Sequence, residues 1–295
     1  MIVSGSASQA LAAALAAELG EPLAMTETEH FPDGELLASV GAFDAERAII
    51  VSSTVSSDAH VELLQLQDAA REAGAEEIIT VIPYMGYGRQ DKSFKAGEPV
   101  SARAMARAIS TGTDRVITVN PHEELLCDFF SVPCESVDAA PHLANALPAD
   151  LDQPVFLAPD EGAIDLAASV RDAHGAGDTD YFVKKRLSGS DVDITPSDTD
   201  VSGRDVVLVD DIIATGSTMS ESIEILQGRS PNRVFVTCVH PMLASNAQTK
   251  LARAGVEAIY GTDTIERAVS SVTVAPAIAE AINTTVIGEI EETEK

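Results

Sequence analysis

Apolar and polar positions along this chain follow two periods. Short apolar, β-branched runs at 48–52, 78–82, 115–119, 155–157, 206–209, 234–237 and 258–260 read as strands, with little room for a solvent face. Between them lie amphipathic stretches: 61–73, with Leu63, Leu64 and Leu66 on or near one stripe; 101–109, which Ser101 could cap; 164–170; and 220–226. Strand and helix patterns that alternate throughout predict α/β units with a parallel sheet. One internal echo, Arg-Val-Ile-Thr-Val-Asn-Pro-His at 115–122 against Arg-Val-Phe-Val-Thr-Cys-Val-His-Pro at 233–241, suits two related domains meeting near 141–154. The expected division is 1–143 and 144–295, with the last helix packing back on the first domain.

Composition narrows the class. A chain of 295 residues can hold two domains with separate cores, and no apolar run approaches the ~20 residues of a membrane span. Met1-Ile2-Val3-Ser4-Gly5-Ser6 has neither a basic start nor an apolar leader, so no export signal is expected. Cys127, Cys134 and Cys238 follow no metal-ligand spacing and cannot all pair; reduced core thiols in a cytoplasmic protein are expected. The formal net charge of −28 excludes nucleic-acid binding through a general basic surface. Repulsion of that size disfavours a compact state unless salt screens it, with a Debye length of about 3 Å at 1 M, which predicts a halophilic cytoplasm. Against this background the cations stand out. Lys92 and Lys95 share one loop, and Lys184 and Lys185 another, a placement that favours binding of a polyanion.

The chemistry concentrates after strand ends. Val206-Val207-Leu208-Val209 runs into Asp210 and Asp211, then into Thr215-Gly216-Ser217-Thr218 and a helical pattern. Unpaired N–H groups, hydroxyls and the helix dipole converge on one point suited to a single phosphate. The carboxylates one step earlier can accept from vicinal hydroxyls such as ribose O2 and O3. A plain strand, turn and helix cap is the alternative, but a cap does not need two aspartates. Gly-Lys-Ser/Thr is missing, so this is no Walker A loop. After the 78–82 strand, 83–99 carries Tyr84, Tyr87, Arg89, Gln90, Asp91, Lys92 and Lys95. Arg89 offers a fork for phosphate oxygens and Gln90 could read a base edge; a solvated loop is the alternative. A second basic loop, 180–188, has Lys184 and Arg186 in alternation, facing the same way on an extended segment, unless it is a basic edge strand. His122 and Asp160 each follow a strand end, and magnesium needs few protein ligands beside substrate phosphates; His122 could equally be structural. Phe31-Pro32-Asp33-Gly34-Glu35 reads as a turn.

The 206–219 run resembles the signature shared by type I phosphoribosyltransferases and ribose-phosphate pyrophosphokinases, and the order of all these motifs resembles the pyrophosphokinase family over nearly the whole chain. The resemblance implies an α/β fold of two similar phosphoribosyltransferase-like domains, each a mainly parallel sheet flanked by helices. It implies a magnesium-dependent transferase that moves the pyrophosphoryl group of ATP to the C1 hydroxyl of ribose 5-phosphate. By the same resemblance Asp210 and Asp211 hold the ribose, and Thr215, Gly216, Ser217 and Thr218 the 5′-phosphate. Arg89, Gln90 and Asp91 bind ATP, and Phe31, Asp33 and Glu35 reach the adenine from a neighbouring subunit, which makes the protein a homo-oligomer of two or more. Lys184 and Arg186 are catalytic, and His122 and Asp160 metal-associated. Neither nucleic acid nor membrane is an expected partner. Departures are Asn120 in place of an expected Asp, Ala214 in place of an acid, and Val183 in place of an acid; the Lys-Lys-Arg form and compact length look archaeal. A phosphoribosyltransferase, or a non-catalytic regulator of the same fold, is the alternative.

Overall fold

Consecutive branched apolar residues leave a strand no solvent face, so the strands they form have to be covered on both sides. In the computed structural model this is met twice, in two units. All residues are described except Phe43, Gly189, Ser190, Ser197, Asp198, Glu294 and Lys295; the side chains of Glu124 and of 184–188, 191–196 and 285–293 are also outside the described set.

The first unit holds Met1–Asp138, Asp263–Glu266 and Thr273–Lys295. Its elements are β1 (Ile2–Ser4), α1 (Gln9–Leu19), β2 (Thr26–His30), β3 (Leu36–Val40), β4 (Arg47–Val51), α2 (Ser57–Glu72), β5 (Glu77–Ile82), α3 (Ser101–Ile109), β6 (Arg115–Val119) and β7 (Cys134–Val137). The parallel sheet runs β1-β4-β5-β6-β7, and β2 and β3 form a separate antiparallel hairpin. Ile49, Ile50, Ile78, Ile82, Val116 and Ile117 are essentially fully buried. Gln65 of α2 holds the hairpin, accepting from Ala38 N (2.6 Å) and donating to Leu36 O (2.8 Å).

The second unit holds Ala139–Thr262 and Arg267–Val272. It contains β8 (Val155–Ala158), α4 (Ile164–His174), β9 (Asp178–Ser188), β10 (Asp191–Pro196), β11 (Asp205–Ile212), α5 (Ser217–Gln227), β12 (Arg233–His240), α6 (Ala247–Ala254), β13 (Ala258–Thr262) and β14 (Ser270–Val272). The sheet order is β10-β9-β8-β11-β12-β13-β14, parallel except for the β9–β10 pair. The final helix, α7 (Ala275–Thr293), belongs to the first unit and packs on α1 there, with Arg115 Nη2 donating to Ala281 O (3.2 Å).

Element order is the same in both units: strand, helix, hairpin, strand, helix, strand, helix, two strands. On that correspondence β6 matches β13, and β12 matches β5. The echo between 115–122 and 233–241 therefore pairs strands that are not equivalent; short apolar strands followed by Pro look alike wherever they fall.

Three local expectations are corrected. Residues 180–188 are not a loop: they form the greater part of β9, paired with β8 through Tyr181 and with β10 beyond it. Ser101 does not cap α3; it is already helical, Val100 takes the cap position, and no side chain caps the helix. Cys127 and Cys134 are joined by a disulfide and only Cys238 is a buried free thiol, because the chain after β6 doubles back and leaves the first two 5.2 Å apart at Cα. Among the described residues no helix is long and apolar enough to cross a membrane.

Candidate active site

In an open parallel sheet the loops beyond the strand C-termini form the receptive edge. In the second unit that edge gathers Asp160, two residues past β8, with Asp210 and Asp211 near the end of β11 and the loop into α5. Asp211 N–H donates to Asp210 Oδ1 (3.0 Å), and Ile212 N–H donates to Asp211 Oδ1 (2.7 Å). Burial first, then the neighbouring Asp211 carboxylate and the charge of Asp160, push the Asp210 carboxyl well above the usual carboxylate range. Cys238, opposite Asp210 in the ladder, is likewise pushed up by burial and then by Asp210, and stays a neutral thiol.

Gly216, at φ +70°, is the cap residue of α5, and no side chain caps that helix. The hydroxyls of Thr215, Ser217 and Thr218 are thus not spent on capping, and all three residues are exposed. A Cβ on Gly216 would lie 3.3 Å from Ala247 Cβ at the start of α6, so both the positive φ and the close approach favour glycine. Lys250, one turn further along α6, donates from Nζ to Thr215 O (3.2 Å) and Ser217 Oγ (3.0 Å). Nothing in the sequence around Lys250 marks it as part of a site; the available signal is the scarcity of the residue, six in the chain.

The structure brings Asp160, Asp210 and Asp211 into electrostatic reach. It also places Thr215, Gly216, Ser217 and Thr218 in one turn at a helix N-terminus. Lys184 and Arg186 lie on the β9 backbone opposite Ile194 and Val192 of β10; their side chains are outside the described set.

In the first unit, Phe31, Asp33 and Glu35 form the exposed tip of the β2–β3 hairpin. Phe31 N donates to Glu35 O (2.8 Å), Glu35 N donates to Asp33 Oδ1 (3.2 Å), and Gly34 takes φ +94°. Arg89 is exposed just beyond Tyr87 and Gly88. Gln90 closes its own loop, with Nε2 near Lys92 O (3.3 Å), Glu98 Oε2 (3.4 Å) and Pro99 O (3.4 Å), while Asp91 faces Lys92 at 3.8 Å. His122 is exposed, three residues past β6. Among the described residues, no group of three or more His, Cys, Asp or Glu is close enough to hold a metal unaided. Carboxylate oxygens at this edge suit a divalent cation whose other ligands are substrate oxygens and water.

Family models cover most of the chain. Residues 1–112 match the N-terminal domain of ribose phosphate pyrophosphokinase, and 136–275 match the phosphoribosyl transferase domain. The ribose-phosphate pyrophosphokinase of Halobacterium salinarum is 65% identical over 283 residues, covering 96% of this chain and 100% of the relative. The chain belongs to the ribose-phosphate pyrophosphokinase family. The pyrophosphokinase of Methanosarcina mazei is 48% identical over 96% of this chain and 95% of its own. The crystal structure of phosphoribosylpyrophosphate synthetase from Mycobacterium smegmatis superposes with a TM-score of 0.81 at 25% identity, covering 98% of this chain and 99% of that one.

Proposed function

We propose that this chain transfers the pyrophosphoryl group of ATP to the C1 hydroxyl of D-ribose 5-phosphate, giving 5-phospho-α-D-ribose 1-diphosphate and AMP. The carrying observation is the edge after β11, where two carboxylates lead into an uncapped, hydroxyl-rich turn at a helix N-terminus. Asp210 and Asp211 accept hydrogen bonds from the ribose O2 and O3 hydroxyls. The N–H and hydroxyl groups of Thr215, Gly216, Ser217 and Thr218 receive the 5′-phosphate. Fixing the sugar at both ends presents O1 in one orientation, and positioning of this kind supplies much of the acceleration in phosphoryl transfer.

Arg89, with Gln90 and Asp91 in the same loop, is assigned to ATP. Lys184 and Arg186 are assigned to the negative charge that develops on the transferring group. Asp160 in the second unit and His122 in the first are each assigned to a magnesium-associated position; magnesium, when bound, would neutralise charge on phosphate oxygens. Phe31, Asp33 and Glu35 are assigned to the adenine of ATP in a neighbouring copy, so the active protein is a homo-oligomer. The exposed aromatic tip supports that reading. A cytoplasmic location fits substrates of this kind.

Purified protein with ATP, magnesium and ribose 5-phosphate in concentrated KCl is expected to form AMP and the diphosphate in equal amounts, with no AMP when ribose 5-phosphate is omitted. AMP release that ignores the sugar, or consumption of the diphosphate with a nucleobase, would overturn the proposal.

A further inference from the structure

The hydroxyl turn at 215–218 has a cationic neighbour on a different element. We infer that Lys250 is the positioning cation of the 5′-phosphate subsite: its ammonium fixes the turn and neutralises the phosphate that the turn receives. The inference rests on the ribose 5-phosphate reading above and adds a residue to it.

Charge is the first reason. A phosphate dianion entering this edge meets Asp210, Asp211 and Asp160, in a chain of net charge −28. The helix N-terminus offers about half a positive charge, less than a phosphate dianion carries. Among the described hydrogen bonds to residues 214–218, Lys250 is the only cationic donor.

Geometry is the second. The segment before α6 is stitched to the turn by Leu243 N to Ile213 O and Ala244 N to Ala214 O, both 2.8 Å. Ala247 then packs against Gly216. Ala247 and Lys250 are three residues apart on one helix and share a face, so the contact that fixes α6 also fixes the lysine stem. The ammonium therefore stands at a set place beside the turn. An ammonium has three donors; Thr215 O and Ser217 Oγ take two, which leaves one for an oxygen bound among the same hydroxyls.

The test is steady-state kinetics of Lys250→Met, Lys250→Gln and Lys250→Arg at saturating ATP, with thermal unfolding of each protein with and without ribose 5-phosphate. The neutral variants are expected to raise KM for ribose 5-phosphate roughly tenfold or more, with a several-fold smaller change in kcat and in KM for ATP. Arginine should restore most of the loss. Ribose 5-phosphate alone should raise the unfolding temperature of the wild type more than that of the neutral variants. Unchanged KM for ribose 5-phosphate in a well-folded neutral variant overturns the inference. So does a parallel loss of stability, kcat and both KM values that arginine does not rescue, since that marks a purely structural brace. Failure of the wild type to form AMP would instead count against the proposed reaction, while the sugar-phosphate shift still reads the subsite.

Discussion

His60 lies on α2, is 5% exposed, and its ring has no polar contact beyond a loose one with the Gly86 backbone among the described residues. Its ring centroid is 5.3 Å from that of Tyr87, and a Cβ added to Gly86 would come within 3.2 Å of Nε2. Desolvation lowers its pKa from the ordinary 6.5 to about 4. The native protein therefore holds it neutral, whereas the unfolded chain protonates it below about pH 6.5. Stability from this site is complete above pH 6.5 and declines as pH falls toward 4. His60→Leu is expected to flatten that part of the curve, measured as unfolding temperature against pH at constant KCl; an unaltered slope would exclude His60 as its source. Asn120 answers to the same local physics. It takes φ +34°, which asparagine tolerates better than most residues, and its amide donates to Asp138 Oδ1 at 2.7 Å. An aspartate here would set two carboxylates against each other, which accounts for the amide where the family resemblance leads one to expect an acid.

Between β11 and α6 the connected pieces behave as one frame. At its base, Asp205 is fully buried and accepts from Asn232 Nδ2 (2.8 Å), Asp152 N (2.7 Å) and Arg233 Nη2 (2.6 Å). Burial pushes its carboxyl up, but the bonds from Arg233, Asp152 N–H and Asn232 outweigh this and hold it below the usual range. At the other end, Gly216 lets α5 begin where α6 presses on the turn. Gly216→Ala is expected to cost about 1–2 kcal/mol through the left-handed backbone alone. It should also raise KM for ribose 5-phosphate, because the added methyl displaces either the turn or Ala247. Thermal unfolding and substrate titration check the two effects separately, and a stable variant with normal KM would show that the turn adapts.

The acid-rich surface governs the protein as a unit of charge. With 47 acidic residues against 19 lysines and arginines, repulsion opposes the folded state at low ionic strength. The unfolding temperature is expected to rise by several degrees or more between about 0.1 M and about 3 M KCl, as the Debye length shrinks from about 10 Å to under 3 Å. A salt-independent unfolding temperature would contradict this. The two units share one element order, and α7 belongs to the first. The second unit carries the paired carboxylates, the hydroxyl turn and Lys250, and the first carries the Arg89 loop and the Phe31 tip.

The sequence by itself determined the class of fold and the most specific motif. Apolar runs set seven of the parallel strands to within three residues at either end, because burial of both strand faces leaves a pattern in composition alone, whereas the short strands β1, β7 and β14 were too brief to show one. The Asp210–Thr218 run stood out for a related reason: two carboxylates, a glycine and three hydroxyls fall within one short segment. Contacts between residues far apart in the chain had no such trace. Lys250 joins the 215–218 turn from α6, Asp160 reaches the field of Asp210 from another strand end, and the strand character of 180–188 depends on its partners in β8 and β10. The pairing of Cys127 with Cys134 and the burial of His60 are of the same kind. Hydrogen bonding and desolvation act through space, so these features existed only once the sheets had closed and the helices had packed against them.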